Sequence, residues 1–259
     1  VGSWRGEKLI GNTLMNTHAG LPGEQPIDQP DNAAPGALRG EVWLNVQTYQ
    51  AQSLIRGRRG GEGKPAIMGL VGFAERLKVL WQAIRSDDPF ADWWLVKVED
   101  SVADVRSQLH RLQEQLQAVL MSVECFEVTF AQSSRPQRVS LQFANPYAFR
   151  AAQMLADYDR MMCTWMTARH LGLALPTEIA EQVSGSGRWL RRVFALPQSY
   201  QYLEISRSDV HQGTARAEKA RECMGDLPQE ILDGEKLPSL RPVTFQRAST
   251  PSSPALQDG

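Results

Sequence analysis

LRGEVWLNVQTYQAQSLIRGRRGGEGK, residues Leu38 to Lys64, decides how the rest of the chain is read. From Glu41 to Thr48 the residues alternate. Val42, Leu44 and Val46 fall on one side, and Glu41, Trp43, Asn45 and Gln47 on the other. A period of two marks a strand with one buried face, because successive side chains leave a pleated backbone on opposite sides. Tyr49 to Ile55 continues as a short helix-like run. An Arg/Gly loop then carries Arg56, Arg58, Arg59 and Lys64.

Two sets of side chains in this stretch suit a polyanion. Arginine presents a planar fork that matches phosphate oxygens two at a time, and neighbouring glycines let the backbone approach closely. Asn45 and Gln47 carry amides that can pair with adenine N6 and N7 in the major groove, which admits a two-stranded antiparallel ribbon. On this reading Trp43 touches a thymine methyl and Asn45 and Gln47 read bases. Arg56, Arg58, Arg59 and Lys64 hold phosphates, and Val42, Leu44 and Val46 pack on helices beneath. The start of a helix at Ile67 would offer backbone N–H groups to phosphate beside Lys64. One such strand per chain is half a ribbon, so the arrangement requires a dimer. The plainer alternative is a solvated sheet face next to a basic loop.

Outward from this stretch, 259 residues with 42% hydrophobic content are enough for a sizeable core. The net charge is −1, so a nucleic-acid partner must be met by local patches rather than by bulk charge. Cys125, Cys163 and Cys223 are far apart and odd in number, which argues against a secreted disulfide scaffold. His18, His110, His170 and His211 lack metal-ligand spacing. No segment approaches the roughly 20 apolar residues of a membrane span, and no signal-peptide pattern opens the sequence. A cytoplasmic protein without membrane, metal or cofactor is expected. Val1 is not an initiator Met, so the sequence can begin inside a longer natural chain.

Residues 1–37 are rich in Gly, Pro, Asn and Asp and read as a flexible arm. Residues 237–259, dominated by Pro, Ser, Gln and Arg, read as a disordered tail. One folded domain is expected over 38–236, with 38–85 a strand-helix-helix part and 86–236 a helical body. Leu70, Phe73, Leu77, Leu80, Trp81 and Ile84 fall at helical spacing, and Asp87, Asp88 and Pro89 then cap a new helix. Leu95, Val98, Val102, Val105, Leu109, Leu112, Leu116 and Val119 step by three and four. That heptad seam is either a dimerising coiled coil or the inner face of a helix packed on its own domain. Cys125–Phe130 and Arg138–Phe143, around Ser133-Ser134-Arg135-Pro136, read as a β-hairpin with Phe126, Val128, Phe130 and Val139, Leu141, Phe143 inward. Asn145-Pro146 caps a long helix that ends at Gly172. Thr177–Val183 and Trp189–Ala195, divided by Ser184-Gly185-Ser186-Gly187, and Ser208–Met224 read as further helices. The fold class is α+β, predominantly helical.

Little here is catalytic. A nucleotide-binding P-loop needs Gly, four residues, then Gly-Lys followed by Ser or Thr. Arg58 and Pro65 occupy positions that break the pattern around Gly63-Lys64. Asp87, Asp88 and Asp92 read as helix-capping acids rather than metal ligands. Asp157 and Asp159 point to different faces of one helix, which rules against a paired acid–base site. No Ser, Cys or His sits in a nucleophile motif. A second basic patch, Arg188, Arg191 and Arg192, surrounds Trp189 and Leu190.

Several longer runs carry a family likeness. They are Thr48-x-x-Ala51-Gln52 with Gly57-Arg58, Ser86 to Leu95 (SDDPFADWWL), Phe143 to Arg150 (FANPYAFR), Leu155 to Asp159 (LADYD), Thr167 to Gly172 (TARHLG) and Arg191-Arg192. Over residues 38–228 the chain resembles a family of proteins encoded in bacterial integrative conjugative elements, with which the AcaB-like regulators of conjugative plasmids belong. The resemblance implies a DNA-binding transcriptional regulator with a ribbon-helix-helix element and double-stranded DNA as partner. The chain departs from a compact ribbon-helix-helix unit in its long Gly-rich loop, and the shared runs extend well past any such unit. A non-catalytic interaction component of the element's maintenance or transfer machinery, working through the Leu95–Val119 seam, is the alternative. An enzyme acting on nucleic acid is a distant third.

Overall fold

The alternation of the opening stretch becomes strand β1, Val42–Val46, with Leu44 and Val46 buried and Trp43 and Asn45 exposed. The computed structural model describes residues 42–61, 63–122, 128–142 and 145–242, all in one compact unit; Glu41 lies outside them. After β1 come α1 (Tyr49–Arg56), β2 (Gly57–Arg58), β3 (Ile67–Met68), α2 (Leu70–Arg85) and α3 (Pro89–Met121). Next are β4 (Gln137–Leu141), α4 (Pro146–His170) and α5 (Thr177–Ala195). The short helices α6 (Arg207–His211), α7 (Ala215–Met224) and α8 (Gln229–Leu232) complete an α+β, predominantly helical fold.

The long helices start where the sequence caps them. Asp88 accepts from the N–H groups of Phe90 and Ala91 at the head of α3, and Asn145 accepts from Tyr147 at the head of α4. Each satisfies N–H groups that have no intrahelical acceptor. The heptad seam of α3 lies against α4 of the same chain. Val98, Val102, Val105, Leu109, Leu112 and Leu116 are all buried there, each burial stabilising by roughly 1.5–3 kcal/mol. The dimerising coiled-coil reading therefore falls, because the stripe that would face a partner is already the core. Arg106 pairs with Asp157 at 2.8 Å and Gln113 bonds Thr164 at 2.9 Å along the edge of this contact.

Four sequence expectations change. The hairpin of Cys125–Phe130 with Arg138–Phe143 does not form as read: β4 pairs antiparallel with β1, Val42 opposite Leu141 and Val46 opposite Gln137. The segment just after the other run is tied to α4 and to the end of β1. Ala131 N–H donates to Thr167 Oγ1 and Ser133 N–H to Gln47 Oε1, and 128–133 carries no strand; residues 123–127 lie outside the described ones. Second, α5 runs unbroken through Ser184-Gly185-Ser186-Gly187, because Gly187 sits against Tyr158 of α4. A Cβ there would come within 3.3 Å of the phenol oxygen, so close helix packing outweighs glycine's poor helix propensity. Third, Ser208–Met224 is two helices, broken at Gly213 with its φ of 61°. Fourth, the chain from Leu237 to Pro242, placed in the tail by composition, is held on the body: Ser239 N–H donates to Glu99 and Arg241 pairs with Asp92.

Candidate nucleic-acid interface

β1 and β4 make a two-stranded antiparallel ribbon within one chain. Its inner face holds Leu44 and Val46 with Val139 and Leu141, against the helices. The outer face holds Trp43 and Asn45 on β1 and Ser140 and Arg138 on β4, with Trp43 opposite Ser140 and Asn45 opposite Arg138. The Arg138 guanidinium lies over the Trp43 ring, 4.2 Å from its centroid, a cation–π contact across the diagonal of the ladder. The expectation that a second chain is needed to complete the ribbon is thereby corrected: β4 supplies the second strand.

The ribbon is fastened at its α1 end by one buried carboxylate. Asp159 of α4 accepts from Gln47 N–H at 2.7 Å, Thr48 N–H at 2.9 Å and Thr48 Oγ1 at 2.6 Å. Thr48 in turn caps α1 by accepting from Ala51 N–H. The runs Thr-x-x-Ala-Gln and Leu-Ala-Asp-Tyr-Asp, distant in sequence, meet in this junction. The strand ends here because its last amides turn to Asp159 instead of to a neighbouring strand. Gln47 also spends its side-chain carbonyl on Ser133 N–H, so it ties the ribbon to the loop before β4.

The arginine loop is a small hairpin rather than a free loop. β2 pairs with β3, Gly57 opposite Met68 and Arg58 opposite Ile67, and Gly61 and Lys64 exchange backbone hydrogen bonds near the tip. Its neck is a crossing of two glycines. Gly57 has a φ of 70°, and a Cβ on it would lie 2.1 Å from the Ile67 carbonyl oxygen; a Cβ on Gly69 would lie 2.3 Å from Gly57 N. Only glycine tolerates both the conformation and the approach. Arg56, Arg58, Arg59 and Lys64 are all exposed, and Arg58 donates to the Pro65 carbonyl at 3.1 Å. Among the described residues no carboxylate pairs with any of the four. The helix start near Ile67 is not offered to phosphate as the sequence suggested. Ile67 is in β3, and α2 begins at Leu70 under the neck, where Gly69 and Leu70 are buried. α1 separates hairpin from ribbon by about 12 Å, the rise of eight helical residues.

The second basic patch divides. Arg188 and Arg192 are exposed on α5, whereas Arg191 is partly buried beside Tyr158, whose phenol is raised by burial and pulled back by that arginine.

The acidic residues have structural partners. Asp92, fully buried, faces Arg207 at 2.6 Å and Arg241 at 2.9 Å. Burial raises its carboxyl, and the two guanidinium groups pull it back. Burial also pushes Asp88 up to about 6, against the pull of its hydrogen bonds from Tyr200, Ala91 and Phe90. Arg207 also pairs with Asp87. Asp157 and Asp159 serve different faces, as their spacing requires: α3 on one side, the ribbon junction on the other. Among the described residues no group of three or more His, Cys, Asp or Glu could hold a metal, and no helix is long and apolar enough to cross a membrane.

Arg138 and Ser140 are outer-face residues of the candidate interface that the sequence reading missed. Their outward position was legible from the alternation with Val139 and Leu141. Their partnership with Trp43 and Asn45 was not, because it depends on which strand β4 joins.

Comparison with known proteins places the chain in the class of transcriptional regulators. It belongs to the AcaB family: the family described as "Transcriptional regulator AcaB" matches residues 34–244. The crystal structure of selenomethionine-containing AcaB from uropathogenic E. coli is similar in fold, with a TM-score of 0.51 and 13% sequence identity, covering 76% of this chain and 95% of that one. No curated protein matches the chain by sequence.

Proposed function

We propose that this chain is a DNA-binding transcriptional regulator encoded on an integrative conjugative element or conjugative plasmid, acting as a dimer on operator or promoter DNA of that element. The observation that carries the reading is the outer face of the β1–β4 ribbon. It presents an indole, an amide, a guanidinium and a hydroxyl on an antiparallel pair of the width the major groove accepts. The exposed hairpin with Arg56, Arg58, Arg59 and Lys64 supplies cations for the phosphate backbone, which positions a protein without reading sequence. Membership of a regulator family supports the regulatory role, and the shared runs support the mobile-element setting. The dimer follows from the habit of such readers of using one unit per half-site.

The test is titration of the full chain with DNA from upstream of its own gene across a range of salt. Affinity is expected to fall steeply, with log K declining by about 0.9 per phosphate neutralised. Light scattering of the free protein is expected to report two copies. Failure to bind that DNA even at low salt ends the reading. The interaction-component alternative has lost its proposed working surface, since the Leu95–Val119 seam is packed within the chain.

A further inference from the structure

We infer that Arg138 is the guanine-reading residue of the ribbon, that Trp43 holds it in place rather than touching a base, and that Asn45 reads adenine within a step or two of that guanine. The inference rests on the DNA-binding reading above and adds to it which side chains discriminate.

Three observations lead to this division of labour. Arg138 stands directly opposite Asn45 in the ladder, on the exposed face. Cross-strand partners have Cα atoms about 5 Å apart, comparable to the 3.4 Å base step, so two such side chains reach neighbouring base pairs. Their chemistry is complementary in the groove, where arginine takes guanine O6 and N7 in a fork and asparagine takes adenine N6 and N7. The second observation is the stacking of Arg138 on Trp43 at 4.2 Å. A long flexible side chain loses rotamer entropy when it docks, and an aromatic shelf fixes much of that freedom beforehand. The indole face under the guanidinium is thereby occupied, which gives Trp43 the role of a shelf for Arg138. The third is Gln47. Its carbonyl oxygen already accepts from Ser133 N–H at 3.0 Å, so it cannot present a complete amide pair to adenine without releasing the loop that leads into β4. Reading therefore narrows from three residues on one strand to one residue on each of two.

The experiment selects bound sequences from a random DNA pool with the full chain, then measures affinity for the selected site and for a scrambled duplex. Wild type is expected to prefer one guanine and one nearby adenine in each half-site. Arg138→Ala is expected to lose roughly 5- to 100-fold discrimination at the guanine alone, the loss of one bidentate contact. Asn45→Ala should relax the adenine alone. Arg58→Ala serves as the backbone control and should weaken selected and scrambled DNA alike. Arg138→Gln, which keeps the stem over the indole, replaces Arg138→Ala if the latter fails to fold and should likewise lose the guanine. If Arg138→Ala or Arg138→Gln weakens both duplexes equally, Arg138 is a phosphate contact and the inference is overturned while DNA binding stands. If wild type binds neither duplex, the functional reading itself falls, and with it this inference.

Discussion

Arginines gather at two places in this molecule, and the company they keep differs. At the head of α3, Arg207 and Arg241 converge on the fully buried Asp92, and Arg207 also reaches Asp87. At the end of α1 and along the β2–β3 hairpin, Arg56, Arg58 and Arg59 stand in solvent with no carboxylate paired to them among the described residues. The first set is answered charge for charge and holds together α3, α6 and the segment around Ser239. The second has no such answer among the described residues, and the proposed function gives it the DNA backbone. A basic cluster in sequence says nothing about this distinction; the positions of the acids decide it.

The comparison breaks if the lock can be opened cheaply. Asp92→Ala leaves two guanidinium groups facing an empty, water-excluded site, and removing one partner of a buried pair costs about 3–5 kcal/mol. Urea denaturation should show a loss of that size, and a change below 1 kcal/mol would mean the lock does not stabilise the fold. The same region should carry a pH signature. Asp88 titrates at 3.8 when unfolded and at about 6 when folded. Between those values the folded state holds more of the proton, so this group's contribution to stability falls as pH rises and is fully lost above about 6. The difference corresponds to about 3 kcal/mol. Asp88→Asn keeps an acceptor for the helix cap, so its stability between pH 4 and 6 should lack the downward component seen in the wild type. Parallel pH profiles would remove Asp88 as the source.

The smallest effect on stability is expected at the other cluster. Arg58→Ala with Arg59→Ala should change unfolding free energy by less than about 0.5 kcal/mol, as for exposed positions without buried partners. The same double variant should reduce the salt slope of DNA binding by up to about 2, one phosphate for each arginine. A large stability loss with an unchanged salt slope would place these arginines in the same category as Arg207 and Arg241.

Much of the fold was legible because it rests on local chemistry. Asp88, Asn145 and Gly172 set helix ends through caps and a left-handed turn, and the α3 seam shows its inner stripe at three- and four-residue steps. What the sequence hid depends on pairings between distant segments. The run Cys125–Phe130 alternates like a strand, yet β4 pairs with β1, and the amides of Ala131 and Ser133 just beyond that run are taken by Thr167 and Gln47. Gly185 and Gly187 look like a helix break until Tyr158 is seen against Gly187. The same holds for the candidate interface. Trp43, Asn45 and the loop arginines could be named from alternation and charge. Arg138 could not, since it joins them only through the β1–β4 register, and the bond that occupies Gln47 was equally out of sight.

The long-range character of that register has a consequence for how the molecule matures. Val42 meets Leu141 only after α1, α2 and α3 have been laid down between them. Loops of that length close late, after local helices have formed and docked. A chain emerging from the ribosome therefore has its arginine hairpin early and its ribbon late. Until residues 137–141 arrive and α4 brings Asp159 to Thr48, the ribbon has neither its second strand nor its anchor. If the ribbon reads bases as proposed, selectivity is the last property this fold acquires, and the first it would lose on partial unfolding.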